Sequence, residues 1–233
     1  METTTLQPNK GKELIIEVDG HRYARYPIKT HVIQPAEDLK GLIERYALPH
    51  AQPEDMVFIS EKVVAITQGR AVPIGSIKPS PLAKWAVKYV YKNPGGLGIA
   101  TPWTMQTVID EAGVLRFSLA SLVGVIGKLF GVRGMFYRVI GQRAKAIDGP
   151  IPHAMPPYNE CVTLSPLDPK GEAKKLAKAI GHEVVIIDAN DLGVETMGRS
   201  GKVSEDFARK VFRDNPLGQS REQTPLCLVR RVD

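Results

Sequence analysis

The chain has 233 residues, enough for one substantial core or two small ones packed together. Hydrophobic residues make up 43% and charged residues 24%, which excludes wholesale disorder. The net charge of +6 reads as spread along the chain; it suits acidic ligands such as nucleotides, but no RNA- or DNA-binding signature accompanies it and no nucleic-acid partner is expected.

The opening METTTLQPNKGKE lacks the apolar core of a secretory signal, so a cytoplasmic location is expected. Residues 13–19 and 22–28 read as a hairpin joined through Asp19-Gly20, a favoured tight-turn pair. A helix is expected over 36–46, where Leu39, Leu42, Ile43 and Tyr46 recur at helical spacing. The strand DMVFIS (55–60) follows, then a helix capped by Ser60 and ended by Gly69. Residues 81–92 place Leu82, Trp85, Ala86, Tyr89 and Val90 on one face of a core helix, which the turn at 93–98 breaks.

GIATPWTMQTVI reads as a strand closed by DEAGV. The most apolar stretch, 117–140, is interrupted by Lys128 and Arg133 and punctuated by glycine, so it reads as buried backbone with close approaches, with membrane-surface contact as the lesser alternative; no membrane partner is expected. Prolines and polar residues concentrate in 141–160, a place for a boundary between two lobes of a single domain. Asp168 as N-cap, Pro169 at the first helical position and Gly181 as C-cap bracket a helix with an apolar stripe at Ala173, Leu176, Ala177 and Ile180. The strand EVVIID, a helix over 204–214 and the strand PLCLVRRV complete the chain. Strands and helices alternate without the regularity of a doubly wound sheet, so the expected class is a mixed α+β fold with two interleaved lobes.

The common catalytic templates are missing. GVIGKLFG fails the phosphate-loop spacing, with Leu122 where glycine is needed and Leu129 where a metal-binding hydroxyl is needed. No GxGxxG, HExxH or GxSxG occurs. Cys161 and Cys227 lie far apart and read as two core or near-surface thiols of a reducing compartment.

Two acidic groups stand at the ends of expected strands: Asp110 with Glu111, and Asp188 with Asp191, with Asn190 between the latter two and Gly193 and Glu195 just beyond. Carboxylates beside ligand-admitting glycines suit hard divalent cations, yet the same residues also cap helices and solvate turns. Lys62, near a helix start, is either a phosphate contact or a surface lysine. Gln219, Glu222 and Gln223 lie in a loop over 215–225 that is either merely ordered or able to bind metal or phosphate.

Several stretches together resemble the coenzyme F-420-0:L-glutamate ligase (gamma-glutamyl ligase) family. YPIKTHVIQPAEDLKGLI is similar to the family's opening, and DMVFISEKVVAITQGRAV is similar to its "DVLVISEKVVSIAQGR" segment, with Lys62 and Gly69-Arg70 in place. GHEVVIIDANDLG occupies the position of the strand ending in Asp-Thr-Phe-Gly, and NPLGQSREQTPLCLVRR resembles the closing segment. The segment "HGFVCANAGVDxSN" stands here as MQTVIDEAGVLRFSLAS: Ala112-Gly113-Val114 keep register, and Leu115 replaces an aspartate expected to bind metal.

The resemblance implies a homodimeric, mixed α/β enzyme of two lobes that uses GTP with magnesium or manganese. It would activate a carboxylate, coenzyme F-420-0 in the family, for attack by the amino group of L-glutamate. Carried over by position, Asp110, Glu111, Asp188 and Asp191 would hold the metals. On the same reading Lys62 would contact phosphates, Asn190 and Gly193 would lie against the nucleotide, and the 215–225 loop would complete the site with Glu222 toward metal and Gln219 toward nucleotide. The substitution at Leu115 leaves a second reading open, a nucleotide- or metabolite-binding homologue without ligase chemistry. A third is a homodimeric scaffold joined through 117–140.

Overall fold

Asp19 and Gly20 both take positive φ, 53° and 80°, the backbone a tight hairpin turn needs. They join β1 (Ile15–Val18) to β2 (His21–Ile28), as the sequence anticipates. The computed structural model describes residues 6–89, 100–132, 134–152, 154–190 and 193–233. In chain order there follow α1 (Leu39–Tyr46), β3 (Met56–Ser60), α2 (Glu61–Thr67), β4 (Ala71–Pro73), α3 (Pro81–Ala86), α4 (Pro102–Ala112), α5 (Val114–Leu129), α6 (Met135–Ile140) and α7 (Gln142–Lys145). Then come β5 (Cys161–Thr163), α8 (Pro169–Ile180), β6 (Glu183–Asn190), β7 (Gly193–Arg199), α9 (Glu205–Val211) and β8 (Leu226–Arg231). The fold is α+β, with a mixed six-stranded sheet, a two-stranded sheet of β4 and β5, and α-helices between the strands in sequence.

The chain divides into two compact units: Met1–Gly69 with Pro166–Asp233, and Arg70–Ser165. The first holds the sheet, in the order β1-β2-β8-β3-β6-β7. Only β3 and β6 run parallel; the other neighbours are antiparallel. Alternation along β6 sends Val185 and Ile187 to one face, into a core with Phe58, Val211, Phe212 and Cys227, where the Phe58 and Phe212 rings stack at 4.4 Å. Val184, Ile186 and Asp188 belong by the same alternation to the opposite face. The helix bracketed by Asp168 and Gly181 forms as its caps dictate: the Asp168 carboxylate accepts from Gly171 N at 3.0 Å, and Gly181 takes φ 76°.

A buried ion pair ties β2 to the segment after α9. Arg25 is fully buried on β2. Its guanidinium donates to both carboxylate oxygens of Asp214, to Val211 O at 3.1 Å and to Glu13 O at 2.5 Å. Burial works to raise the Asp214 pKa, and the hydrogen bond and charge of Arg25 more than offset it, so the carboxyl titrates below its usual range.

The second unit corrects three expectations. The segment expected as a strand is the helix α4: Thr101 caps it by accepting from Thr104 N at 3.1 Å, Pro102 occupies the first turn, and Met105, Val108 and Ile109 form the buried face. Of the face expected over 81–92, Ala86 is buried and Leu82 packs against the same core, whereas Trp85 and Tyr89 stand exposed with their rings 4.8 Å apart and Ala83 is buried as well. Val90 and the turn at 93–98 lie outside the described residues. The stretch 117–140 makes the expected close approaches at Gly124 and Gly127 but is not buried throughout: it forms α5 and α6, in which Phe117, Ala120, Gly127 and Ile140 face inward and Leu119, Leu122, Val125 and Leu129 face solvent.

Replacing Asp214 with alanine leaves Arg25 buried without its counter-charge and lowers stability by about 3 kcal/mol, measured by urea unfolding at neutral pH. Because the folded-state pKa of Asp214 is depressed, its contribution is complete above the ordinary carboxylate pKa and fades as pH falls through the folded value. The wild-type and variant unfolding curves therefore draw together in acid.

Candidate functional site

The carboxyl ends of the parallel pair β3 and β6 lie side by side, with Ser60 opposite Ile187 in the ladder. Ligand sites in open sheets form at such ends, where strands hand over to loops and helices. One step past this pair, β3 becomes α2, carrying Glu61 and Lys62 in its first turn, and β6 presents Asp188. The Ser60 hydroxyl makes no cap hydrogen bond; its backbone N–H donates instead to Pro225 O at 2.9 Å. The loop entering β8 is thereby brought to the same end of the sheet.

The β6–β7 hairpin sets the register of the acidic group. Asp188 stands opposite Glu195, and Asn190 opposite Gly193. Asn190 Nδ2 lies 3.4 Å from Asp188 Oδ1. Two carboxylates directly across a ladder repel each other unless positive charge comes between them. This group of oxygen donors suits a hard cation that keeps part of its water shell, as magnesium does. Asp191, expected to complete it, lies outside the described residues. Among the described residues no cluster of three or more His, Cys, Asp or Glu is arranged to hold a metal.

In the 215–225 loop, Gln219 is exposed. Glu222 folds back and accepts from Ser220 N at 2.7 Å, close against Gly218, which takes φ 82°. A methyl group at Gly218 would come within 2.6 Å of the Glu222 carboxyl carbon. The loop is further pinned by Asn215 Nδ2 donating to Gly218 O at 2.9 Å and Thr224 Oγ1 donating to Leu217 O at 2.7 Å.

Asp110 and Glu111 belong to the other unit and do not stand at a strand end. They occupy the last turn of α4, where consecutive residues diverge by about 100°. They part company in environment too. Glu111 is nearly buried, its side chain 13% exposed, and is ion-paired to Arg70 at 3.0 Å with Arg143 at 4.0 Å. Arg70 in turn donates to Ser165 O at 2.5 Å. Glu111 is thus already neutralised, and the pair does not fit a divalent-cation site.

Asp110 is exposed and accepts from Gln106 Nε2 at 2.7 Å, one helical turn away. Both line a cleft of about 400 Å³ shared with Ser76, Lys78, Thr107 and Glu111. Lys78 and Gln106 are site-lining residues that sequence reasoning did not single out. The Gln106–Asp110 spacing of four would have revealed their contact had α4 been read as a helix. Leu115, at the position of the resembled aspartate, is 89% exposed in the first turn of α5.

A family model described as F420-0:gamma-glutamyl ligase matches residues 27–198. That range takes in Lys62, the Asp110 cleft, and the Asp188–Glu195 hairpin, and stops short of the 215–225 loop. No curated protein matches the chain.

The two acids of α4 are separable by experiment. Glu111→Gln removes the charge paired with Arg70 and costs about 1–3 kcal/mol. Asp110→Asn, at an exposed position, stays within about 0.5 kcal/mol of wild type. Urea unfolding of both variants checks the difference; equal losses would mean that Asp110 is also structural.

Proposed function

The chain belongs to the F420-0:gamma-glutamyl ligase family, and on that premise we propose that it is a GTP- and divalent-metal-dependent ligase joining a carboxylate acceptor to L-glutamate. Membership implies gamma-glutamyl ligase activity in coenzyme F-420 biosynthesis, on small molecules such as coenzyme F-420-0 and glutamate. In the proposed reaction the acceptor carboxylate takes the γ-phosphoryl group of GTP and GDP leaves. The glutamate amine then attacks the acyl carbon, inorganic phosphate departs, and a proton is released from nitrogen. Such chemistry depends on positioning and charge neutralisation and needs no nucleophilic side chain. The reading carries with it a cytoplasmic homodimer.

The observation that carries the reading is the gathering of polar groups at the carboxyl ends of β3 and β6, inside the family match. Lys62 would contact phosphate oxygens, with Asn190, Gly193 and Gln219 around the nucleotide. Asp188 and Glu195 would hold magnesium or manganese, which when bound offsets phosphate charge. Glu222 would shape the loop that presents Gln219. In the α4 cleft, Asp110 and Lys78 offer one charge of each sign, which suits a zwitterionic amino acid such as glutamate.

A second reading, a nucleotide- or metabolite-binding homologue without ligase chemistry, draws on Leu115 and on the pairing of Glu111 with Arg70. Turnover separates the two. The ligase reading requires GDP release that depends on both glutamate and a carboxylate acceptor.

Calorimetric titration of GTP with and without manganese is the direct check. Manganese-dependent binding is expected in the wild type and is abolished in Asp188→Asn, with an unchanged melting profile. Binding that the substitution leaves intact would move the nucleotide site away from β6.

A further inference from the structure

The net positive charge is not spread along the chain as its composition suggested but is concentrated in the second unit, where Arg70–Ser165 holds eleven basic and four acidic residues. Between Glu111 and Asp148 the sequence holds Arg116, Lys128, Arg133, Arg138, Arg143 and Lys145 and no acidic residue. The run before it, between Glu61 and Asp110, is also free of acidic residues and holds six basic ones, so the stretch lies in the most basic part of the chain. The same stretch contains the most exposed apolar surface described. Leu115, Leu129 and Phe130 are 89%, 79% and 79% exposed, and Leu119, Leu122 and Ile126 join them.

The helix pair is built inside-out for water. Small residues of α5 face α6: a methyl group at Gly124 would sit 3.1 Å from Phe136 Cβ, and one at Gly127 would sit 2.6 Å from Met135 Cγ. Close packing through small residues, with large aliphatic ones pointing away, is the pattern of helices whose surroundings are lipid. The outward residues at 115, 119, 122, 126 and 129 recur at alternating spacings of four and three, one continuous stripe along the helix. A contiguous apolar face of this extent marks a docking surface.

Charge decides what docks there. A second copy would bring the same run of basic residues without acids between Glu111 and Asp148 against this face, setting Arg116, Lys128 and Arg138 against their own copies. An anionic lipid surface satisfies both halves of the pattern. The aliphatic stripe enters the boundary between headgroups and acyl chains, and the basic side chains meet lipid phosphates. Lys128 precedes Leu129 and Phe130 and is itself exposed, so its ammonium group can stay at headgroup level while its neighbours insert. No carboxylate pairs with Arg116, Lys128 or Arg138 among the described residues. Among the described residues no single helix is long and apolar enough to cross a membrane, and the one helix pair that is, α4 with α5, is bent by 112° and buries Met105, Val108 and Ile109 of α4 in the core, so a helix lying along the interface is the arrangement that fits.

We propose that α5 and α6 dock this protein peripherally on membranes rich in anionic phospholipid. The test is co-sedimentation of the full chain with phosphatidylcholine vesicles and with vesicles that also carry phosphatidylglycerol. The expected result is about tenfold stronger partition onto the anionic vesicles, weakened by salt and lost in a Leu129→Glu, Phe130→Glu double variant. Both positions are solvent-facing, so circular dichroism and the melting profile of the variant should match wild type. Sedimentation with neither vesicle, or equal sedimentation with both, overturns the proposal. If the wild type ignores vesicles and is a dimer that the double variant splits, the face belongs to a second copy. None of these readouts depends on GTP binding, so the proposal and the ligase reading fail separately.

Discussion

Strand β8 is the constraint on which the first unit depends. It lies between β2 and β3, antiparallel to both, and so completes the ladders of two strands that are early in sequence. A strand in that position must be apolar on both faces, and Leu226, Cys227, Leu228 and Val229 are all buried. Its far end is held by Arg230, which donates to both carboxylate oxygens of Asp55, at 2.8 and 2.7 Å. Its near end is held by the bond from Ser60 to Pro225. The buried Arg25–Asp214 pair anchors the segment that leads toward the loop. Because β8 enters where β3 and β6 end, the 215–225 loop, the start of α2 and the Asp188 hairpin share one end of the sheet. The candidate site is thus a by-product of strand order.

The second unit is inserted between β3–α2 and α8–β6, so the parallel pair joins residues 127 positions apart, as Met56 with Glu183. Long-range pairing of this kind is slow to form. On the sheet side of the insertion the chain is clamped by a two-way bond: Leu167 N donates to Gln68 Oε1 at 2.6 Å, and Gln68 Nε2 donates to Leu167 O at 3.1 Å. Within the inserted unit, Leu164 N donates to Arg70 O at 2.9 Å. Each crossing of the unit boundary is therefore fixed by bonds internal to its own unit.

The parts legible from sequence are those whose signals are local. The Asp19-Gly20 turn, the capped helix from Pro169 to Ile180 and the alternating or apolar strands declare themselves within a few residues. The helix α4 did not, because Thr104, Thr107, Val108 and Ile109 carry a β-branched signal that masks its helical spacing. The Thr101-Pro102 start was the better guide. The exposed face of α5 was illegible for a different reason: a run of leucine, valine and isoleucine looks like core whichever way it points. For the site, Asp188 was visible as an acid after a strand. Its partner across the ladder is set by register, and the partner of Glu111 lies 41 residues away, beyond what local pattern can show.

The two cysteines fall one to each unit, Cys161 in the inserted unit and Cys227 at the centre of the sheet. Both are buried, and burial pushes both thiols above their ordinary pKa. Neither can react with an alkylating reagent until its surroundings open. The chain thus carries a natural pair of clocks: the modification rate at Cys227 times the opening of the sheet, and that at Cys161 times the opening of the β4–β5 region. Separate rates would show two units that breathe on their own schedules, and a single shared rate would show one cooperative fold.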